Sequence, residues 1–359
     1  AALPKKWGNT LSTQDRVKLV RHAYDSGVRY FDTAISYSYS DSQAIIGEAL
    51  KDVRDNVFIT TKVDFWDISK PDGRFTEVPS GEAIRQVEMN LKELQSDYID
   101  AILIHGTPGV EQMTVDQCME VHGELLKARD KGLVRFVGFS AHHYFDKALA
   151  LISTGQFDLC MLAYGYLPRG FRRLFSPSTV ELRNACLAKA HELNMGIVAM
   201  KVLGAGMLGG FGKKELEGLP GAAIRYVLQD DRVQMLTIGM RLPAEIDTNV
   251  RTLADDNTYT NEDRALLANL PFSLGSVGQE YGKALAVDRK KFADHVTGAI
   301  ESHQNITVIR EELASIPDGD VGPVILATGP LSSPSIIESL TGITGSANLA
   351  FYDAIAPIV

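Results

Sequence analysis

Short apolar runs rich in β-branched residues recur along the first two-thirds of the chain, separated by polar stretches of a different period. They occupy residues 28–33, 57–63, 98–105, 134–140, 157–164, 196–202 and 235–240. Their length suits strands buried on both faces of a parallel sheet. The stretches between them follow helical spacing. Ser12 is placed to cap a helix running to about Ser26, with Asp15 as capping-box partner and Gly27 as its stop. Ser80 caps a second helix, in which Ile84, Val87, Leu91 and Leu94 share one face. Cys118, Val121, Leu125 and Ala128 do the same ahead of Gly132, and residues 261–270 read as a closing helix.

Strand–helix alternation predicts an α/β fold with a parallel sheet and helical crossovers. Seven strands within about 215 residues predict a (β/α)8-type (TIM) barrel rather than an open sheet. A closed barrel of this type has eight strands. Residues 1–10 hold Pro4, Lys5, Lys6 and Gly8 and no convincing strand, so the first strand is expected to be missing. The strands at 28–33 and 235–240 would then face each other across a gap with unpaired edges, unless residues 1–3 supply a stub of pairing.

Residues 271–278 (PFSLGSVG) form a Pro/Gly/Ser-rich break. Beyond it the pattern predicts a helix at about 289–303, strands at 306–310 and 323–327, a helix from about Ser335 and an apolar end at 355–359. This is a small α/β piece. The expected division is a barrel over 1–272, a junction over 273–277 and a second segment over 278–359.

Composition narrows the function. Apolar and charged fractions are ordinary for a globular protein. The net charge of −9 argues against a nonspecific nucleic-acid or membrane surface. Cys118, Cys160 and Cys186 are scattered, without the spacing of a metal site or a disulfide framework, so three reduced thiols and a cytoplasmic location are expected. No apolar run is long enough to span a bilayer and no signal-peptide pattern is found. The chain does not begin with Met, which fits a processed or truncated product.

Asp32, Tyr37, Lys62 and His105 fall at or just after the ends of the first three runs. In a (β/α) barrel those ends share one rim, where chemistry occurs. A tyrosine phenol is a weak acid near neutrality, and a neighbouring ammonium, Lys62, favours its ionised form. Asp32 can hold that lysine charged. His105 can hydrogen-bond a substrate carbonyl or share the proton-donor role. The hydride such a reduction needs must come from a nicotinamide cofactor. Taken singly, Asp32 reads equally as a helix cap, Lys62 as a solvated charge and His105 as a core histidine. Their order and common rim carry the reading. His142 and His143 lack a carboxylate at ligand spacing and read as loop residues, so no metal is expected. GAGMLGG at 204–210 lacks the strand–turn–helix context of a dinucleotide fingerprint.

The stretches FDTAISYSYSDSQAIIGEAL, VFITTKV, SDYIDAILIHG, KGLVRFVGFSAHH, IVAMKVLG and LTIGM followed by Asn249 resemble the aldo-keto reductase family over about residues 11–270. The resemblance implies a catalytic tetrad of Asp32, Tyr37, Lys62 and His105, with Tyr37 as general acid on an aldehyde or ketone. It also implies NADP(H), with NAD(H) as the alternative, held by Ser140, Lys201, Leu203, Gly204, Gly239, Met240, Arg241 and Asn249. Three departures stand out. The family's first barrel strand has no match. Met200 stands where many members stack a tyrosine on the nicotinamide. Glu245 stands where many use arginine on the 2′-phosphate, and Arg241 is the candidate to compensate. Loops 64–79 and 168–178 are the expected substrate walls, with Phe65, Trp66 and Phe171 as apolar contacts.

In the second segment GKALAVDR, VILATGPLSS and FYDAIAPIV resemble the FAD- and folate-dependent tRNA (uracil-5-)-methyltransferase family over about 278–359. The match is an internal fragment of a Rossmann-like FAD-binding domain, without that family's GxGxxG segment or its catalytic cysteine. Thr328 and Gly329 would line a flavin site in an intact member. Here FAD is not expected to be retained, and no nucleic-acid partner is expected. An assembly artefact, a recombined gene and a deliberate fusion each give such a composite. A catalytically impaired chain that at most binds cofactor, or a flavin- and tRNA-binding fragment, are the alternative readings.

Overall fold

The structure, a computed structural model, describes residues 10–34, 41–65, 78–106, 110–170, 174–209, 217–254, 257–270, 297–298, 300–317 and 333–344. The chain divides into two compact units, Ala1–Ala284 and Leu285–Val359. The expected junction at 273–277 lies outside the described residues.

The first unit runs α1 (Thr13–Asp25), β1 (Tyr30–Asp32), α2 (Ser42–Leu50), β2 (Phe58–Val63), α3 (Glu82–Leu94) and β3 (Ile99–Ile104). It continues with α4 (Val115–Asp130), β4 (Val134–Ala141), α5 (Phe145–Ser153), β5 (Leu159–Ala163) and α6 (Pro177–Glu192). It ends with β6 (Gly196–Met200), α7 (Leu219–Leu228), β7 (Met235–Leu236), α8 (Pro243–Ala254) and α9 (Asn261–Ala268). Each of the seven apolar runs contributes a strand. They pair in parallel in sequence order, as a curled, incomplete (β/α) barrel. Among the described residues β1 pairs only with β2 and β7 only with β6, so the sheet stays open at a seam between them. With a neighbour on one side only, β7 is two residues long, although the pattern predicts six.

Register decides which side chains face the barrel interior. Tyr30, Phe31 and Asp32 pair with Phe58, Ile59 and Thr60. Thr60 to Val63 pair with Ala101 to Ile104. Residues paired across a parallel ladder point to the same face. Phe31, Ile59, Val63, Ile102, Ile104, Val137, Phe139, Leu162 and Ile197 therefore share the outer face, and all are buried against helices. Each such side chain contributes about 1.5–3 kcal/mol of hydrophobic stabilisation.

Local signals set the helices. Ser12 accepts from the Asp15 amide, but the Asp15 carboxylate turns to the Ser12 hydroxyl, so the expected box is half made. Thr114 and Gln117 complete a reciprocal box at the start of α4. Ser80 does not cap α3. Gly81 is the capping residue at φ +77°, and the Glu124 carboxylate from α4 accepts from the Gly81 and Ala83 amides. The buried face of α3 is correspondingly rotated: Val87 and Leu94 are buried with Ala83, Gln86 and Asn90, whereas Ile84 and Leu91 are half-buried. The α4 positions Cys118, Val121, Leu125 and Ala128 are fully buried. All three cysteines are free and buried. Burial pushes the Cys118 and Cys186 thiols up to about 12 and that of Cys160 up as well.

In the second unit α10 (Pro334–Thr344) follows the expected pattern, and its Ser339 hydroxyl accepts from the Ile316 amide. Residues 306–310 do not form the expected strand. Among the described residues they have no ladder partner, and Ile306, Val308 and Ile309 are exposed. The expected strand at 323–327 lies outside the described residues. Among the described residues no helix is long and apolar enough to cross a membrane. Nor could any group of three or more His, Cys, Asp or Glu side chains among them hold a metal ion.

Gly47 marks the tightest crossing of α2 and α3. A Cβ there would lie 2.4 Å from the Leu94 carbonyl oxygen, a backbone atom that cannot swing away. Gly47→Ala gains about 1 kcal/mol of helix propensity, but overpacking of this kind costs about 1–3 kcal/mol. A net loss of stability is expected by denaturant titration. Gly123→Ala in α4 meets nothing within 4 Å and should stabilise.

Candidate active site

The register places Asp32, Lys62, His105, Ser140 and Met200 on the interior face, at the carboxyl ends of β1, β2, β3, β4 and β6. Lys62 pairs with Leu103, so Asp64 and His105 follow as neighbours just beyond the β2–β3 ladder. This is the rim on which barrels of this type carry their chemistry.

Lys62 is 2 % exposed. Its ammonium donates to Asp32 Oδ1 at 2.5 Å and to the Thr33 carbonyl at 2.6 Å. The strand beneath is fixed by side chains: Asn90 donates to the Lys62 carbonyl and the Thr61 hydroxyl donates to Gln43. His105 is buried, with Nδ1 bonded to the Asp64 carboxylate. Its backbone amide donates to the Val63 carbonyl. The structure thus brings Asp32, Lys62 and His105 to one mouth. Tyr37 lies outside the described residues. Tyr30, the tyrosine within β1, cannot take its place: burial and the Asp32 charge push its phenol far up.

The expected cofactor residues divide into four groups, in β4, after β6, after β7 and on α8. Ser140 is buried, and its hydroxyl accepts from the Gly106 amide, tying the end of β3 to β4. Lys201 follows β6 with φ +63°, a left-handed residue that breaks the strand's alternation. Burial pushes its amine down to about 8, against the pull of Asp32 and with further lowering from Lys62 and Arg169. The Leu203 carbonyl accepts from Gly206 and Leu208, and Gly204 at φ +56° opens the turn so formed. Gly239, Met240 and Arg241 follow β7, with Gly239 and Arg241 exposed. Asn249, on α8, is 4 % exposed, and among the described residues its Oδ1 has no hydrogen-bond partner. It lines a cavity at the seam together with Phe31, Asp32, Thr237, Met240 and Ile246. Glu245 is buried and accepts from the Arg241 amide at 2.5 Å, 3.9 Å from its guanidinium.

Two polar residues were missed by sequence reasoning. Asp64 stands one step past the β2 strand, and counting two on from Lys62 would have placed it beside His105. Arg169, in the segment after β5, is 7 % exposed, and nothing in its local pattern signals burial. Of the expected apolar wall, Phe65 is instead a core residue at 1 % exposure, because it packs in the hydrophobic cluster beneath the rim. Trp66 and Phe171 lie outside the described residues.

Solved structures of the same fold are similar to this unit. An aldo-keto reductase of Bacillus halodurans in its holo form matches with a TM-score of 0.57 at 20% identity, covering 73% of this chain and 89% of that one. An aldo-keto reductase of Klebsiella pneumoniae in complex with NADPH matches with a TM-score of 0.53 at 16% identity, covering 75% and 85%. At the other end, the family model "Glucose inhibited division protein A" matches residues 276–359. Over 78 residues the chain is 60% identical to the methylenetetrahydrofolate–tRNA-(uracil-5-)-methyltransferase TrmFO of Moorella thermoacetica, covering 22% of this chain and 17% of that protein. The chain therefore spans about a sixth of the length of such curated relatives. The model of the aldo/keto reductase family matches residues 1–221, well over half of the chain, and with the seven-stranded rim this shows that the chain belongs to the aldo/keto reductase family.

Proposed function

We propose that the barrel reduces an aldehyde or ketone with a reduced nicotinamide dinucleotide, and that Tyr37 is the general acid. The observation that carries this reading is the Lys62 ammonium, buried and clamped between Asp32 and the Thr33 carbonyl beside His105. An ammonium neighbour favours the ionised form of a phenol. Tyr37 Oη would give its proton to the carbonyl oxygen, and Lys62 would stabilise the phenolate left behind. Asp64, bonded at Nδ1, orients the imidazole so that Nε2 is the ring atom for the same oxygen. The nicotinamide, when bound, supplies the hydride.

The residues present fit such a dinucleotide. The buried, unpaired Oδ1 of Asn249 suits an N–H donor of the kind a nucleobase amino group offers. Lys201, Leu203, Gly204, Gly239, Met240 and Arg241 would hold the remainder, and Ser140 would support the rim through Gly106. A 2′-phosphate near Arg241 would also meet the Glu245 carboxylate, so NADP(H) and NAD(H) both remain within this reading. The substrate is a small carbonyl compound, and the proposed setting is cytoplasmic. We assign residues 1–272 to this reductase barrel, 273–277 to a junction and 278–359 to a segment akin to the flavin-dependent methyltransferases.

Tyr37→Phe should lower kcat for carbonyl reduction about 10²–10⁴-fold while NADPH still quenches the protein's fluorescence. Full retained turnover would remove Tyr37 from its role. Glu245→Gln keeps an acceptor for the Arg241 amide but removes a negative charge, so the NADPH-to-NADH ratio of kcat/KM should rise about three- to tenfold. Lys201 gives a signature independent of turnover. Its amine is held near 8 in the folded chain against an ordinary 10.5, so between those values the unfolded chain binds more protons. Its contribution to stability therefore rises with pH across that window, and below pH 8 the penalty is complete. Lys201→Met should melt higher than the parent at pH 7, with the difference shrinking towards pH 10.

A further inference from the structure

Two amide side chains stand on the buried face of α3, among Ala83, Val87 and Leu94. Gln86 is 6 % exposed, and Asn90 is fully buried. A buried amide is costly unless its polar atoms are bonded, and both of these reach β2. Asn90 donates to the Lys62 carbonyl. Gln86, one helical turn earlier, makes two bonds to one residue. Its Oε1 accepts from the Asp64 amide at 2.7 Å, and its Nε2 donates to the Asp64 carbonyl at 2.8 Å. Nε2 also donates to Glu82 Oε1 at 2.8 Å, which fixes the end of the amide that carries the nitrogen.

Helix positions four apart share a face, about 5–6 Å from one another. Strand positions two apart are separated by about 6.5 Å. The two amides of α3 therefore match the spacing of Lys62 and Asp64. The pairing of β2 with β3 runs to Val63 and Ile104, and Asp64 is the first residue past it. There the Gln86 amide stands in for the peptide group of a neighbouring strand, and it grips both peptide groups that flank the Asp64 Cα. The side chain on that Cα is the carboxylate bonded to His105 Nδ1. A carboxylate accepts, so Nδ1 carries the proton, and the bond sets both the tautomer and the orientation of the ring.

We propose that Gln86 is a positioning residue for the reaction. By fixing the main chain at Asp64 it holds the Asp64 carboxylate, and through it the His105 ring, in one geometry. The consequence for turnover rests on the reductase reading, whereas the consequence for the ring rests on these bonds alone.

Gln86→Met keeps a side chain of similar length and removes both bonds to Asp64. In the full chain it should lower kcat for reduction of butanal by NADPH about 10–100-fold, with KM and the Kd for NADPH unchanged. In an Asp64→Ala background the same substitution should cost less than about twofold, because its route to the ring is gone. Nitrogen NMR of the histidine-labelled chain reads the ring directly, with the His105 signal assigned by its loss in His105→Asn. The parent should show a single state protonated at Nδ1, and Gln86→Met should divide the ring between tautomers. Equal losses of kcat in the two backgrounds would overturn the proposal, as would a ring signal that Gln86→Met leaves unmoved. Should Gln86→Met fail to fold, Gln86→Glu keeps the acceptor for the Asp64 amide and loses the donor to its carbonyl, and it should move both readouts in the same direction by less. A parent that reduces no butanal with NADPH would sink the reductase reading, and the ring spectrum would then decide the role of Gln86 by itself.

Discussion

The rim depends on one buried ion pair. Moving a charge such as that of Lys62 out of water costs several kcal/mol, and it is tolerated only when a partner and further hydrogen bonds replace the solvent. Asp32 and the Thr33 carbonyl do so from a single strand end. That geometry exists only if β1 and β2 are in their observed register, because Asp32 pairs with Thr60 and Lys62 lies two residues further along the same face. A slip of one residue would turn the ammonium into the apolar layer under the helices. The ion pair therefore constrains the fold as much as the fold positions the ion pair.

From that register the other polar groups follow in steps. His105 meets Asp64 just past the level ends of β2 and β3, and Ser140, near the end of β4, meets the Gly106 amide. The result is a mouth that sets Lys62 and His105 against two carboxylates, Asp32 and Asp64. His142, also buried there, is pushed well below its ordinary value by burial and by the charges of Lys201 and His105, and so adds no further charge.

The strands were legible in the sequence because a strand buried on both faces must be apolar along its whole length, and seven such runs stand out. Their pairing lengths were not, since a ladder extends only as far as its neighbours do. Residues 235–240 shrink to Met235–Leu236 at the open seam, and 306–310 form no strand among the described residues. A cap made within one turn could be read at Ser12, whereas the start of α3 is satisfied by Glu124 from another helix, which no local pattern reveals. The candidate site divides in the same way. Asp32, Lys62 and His105 are marked by their place at the ends of apolar runs. Asp64 and Arg169 acquire meaning only through what lies beside them in space.

The three buried thiols have a practical corollary. With no cysteine at the surface and each sulfur held in its protonated form, the folded chain offers maleimides and spin-label reagents almost nothing to attack. A pair of cysteines introduced on the solvent faces of α1 and α8 could be tagged against that silent background. The distance between the two probes would then track how far the barrel gapes as nucleotide is added.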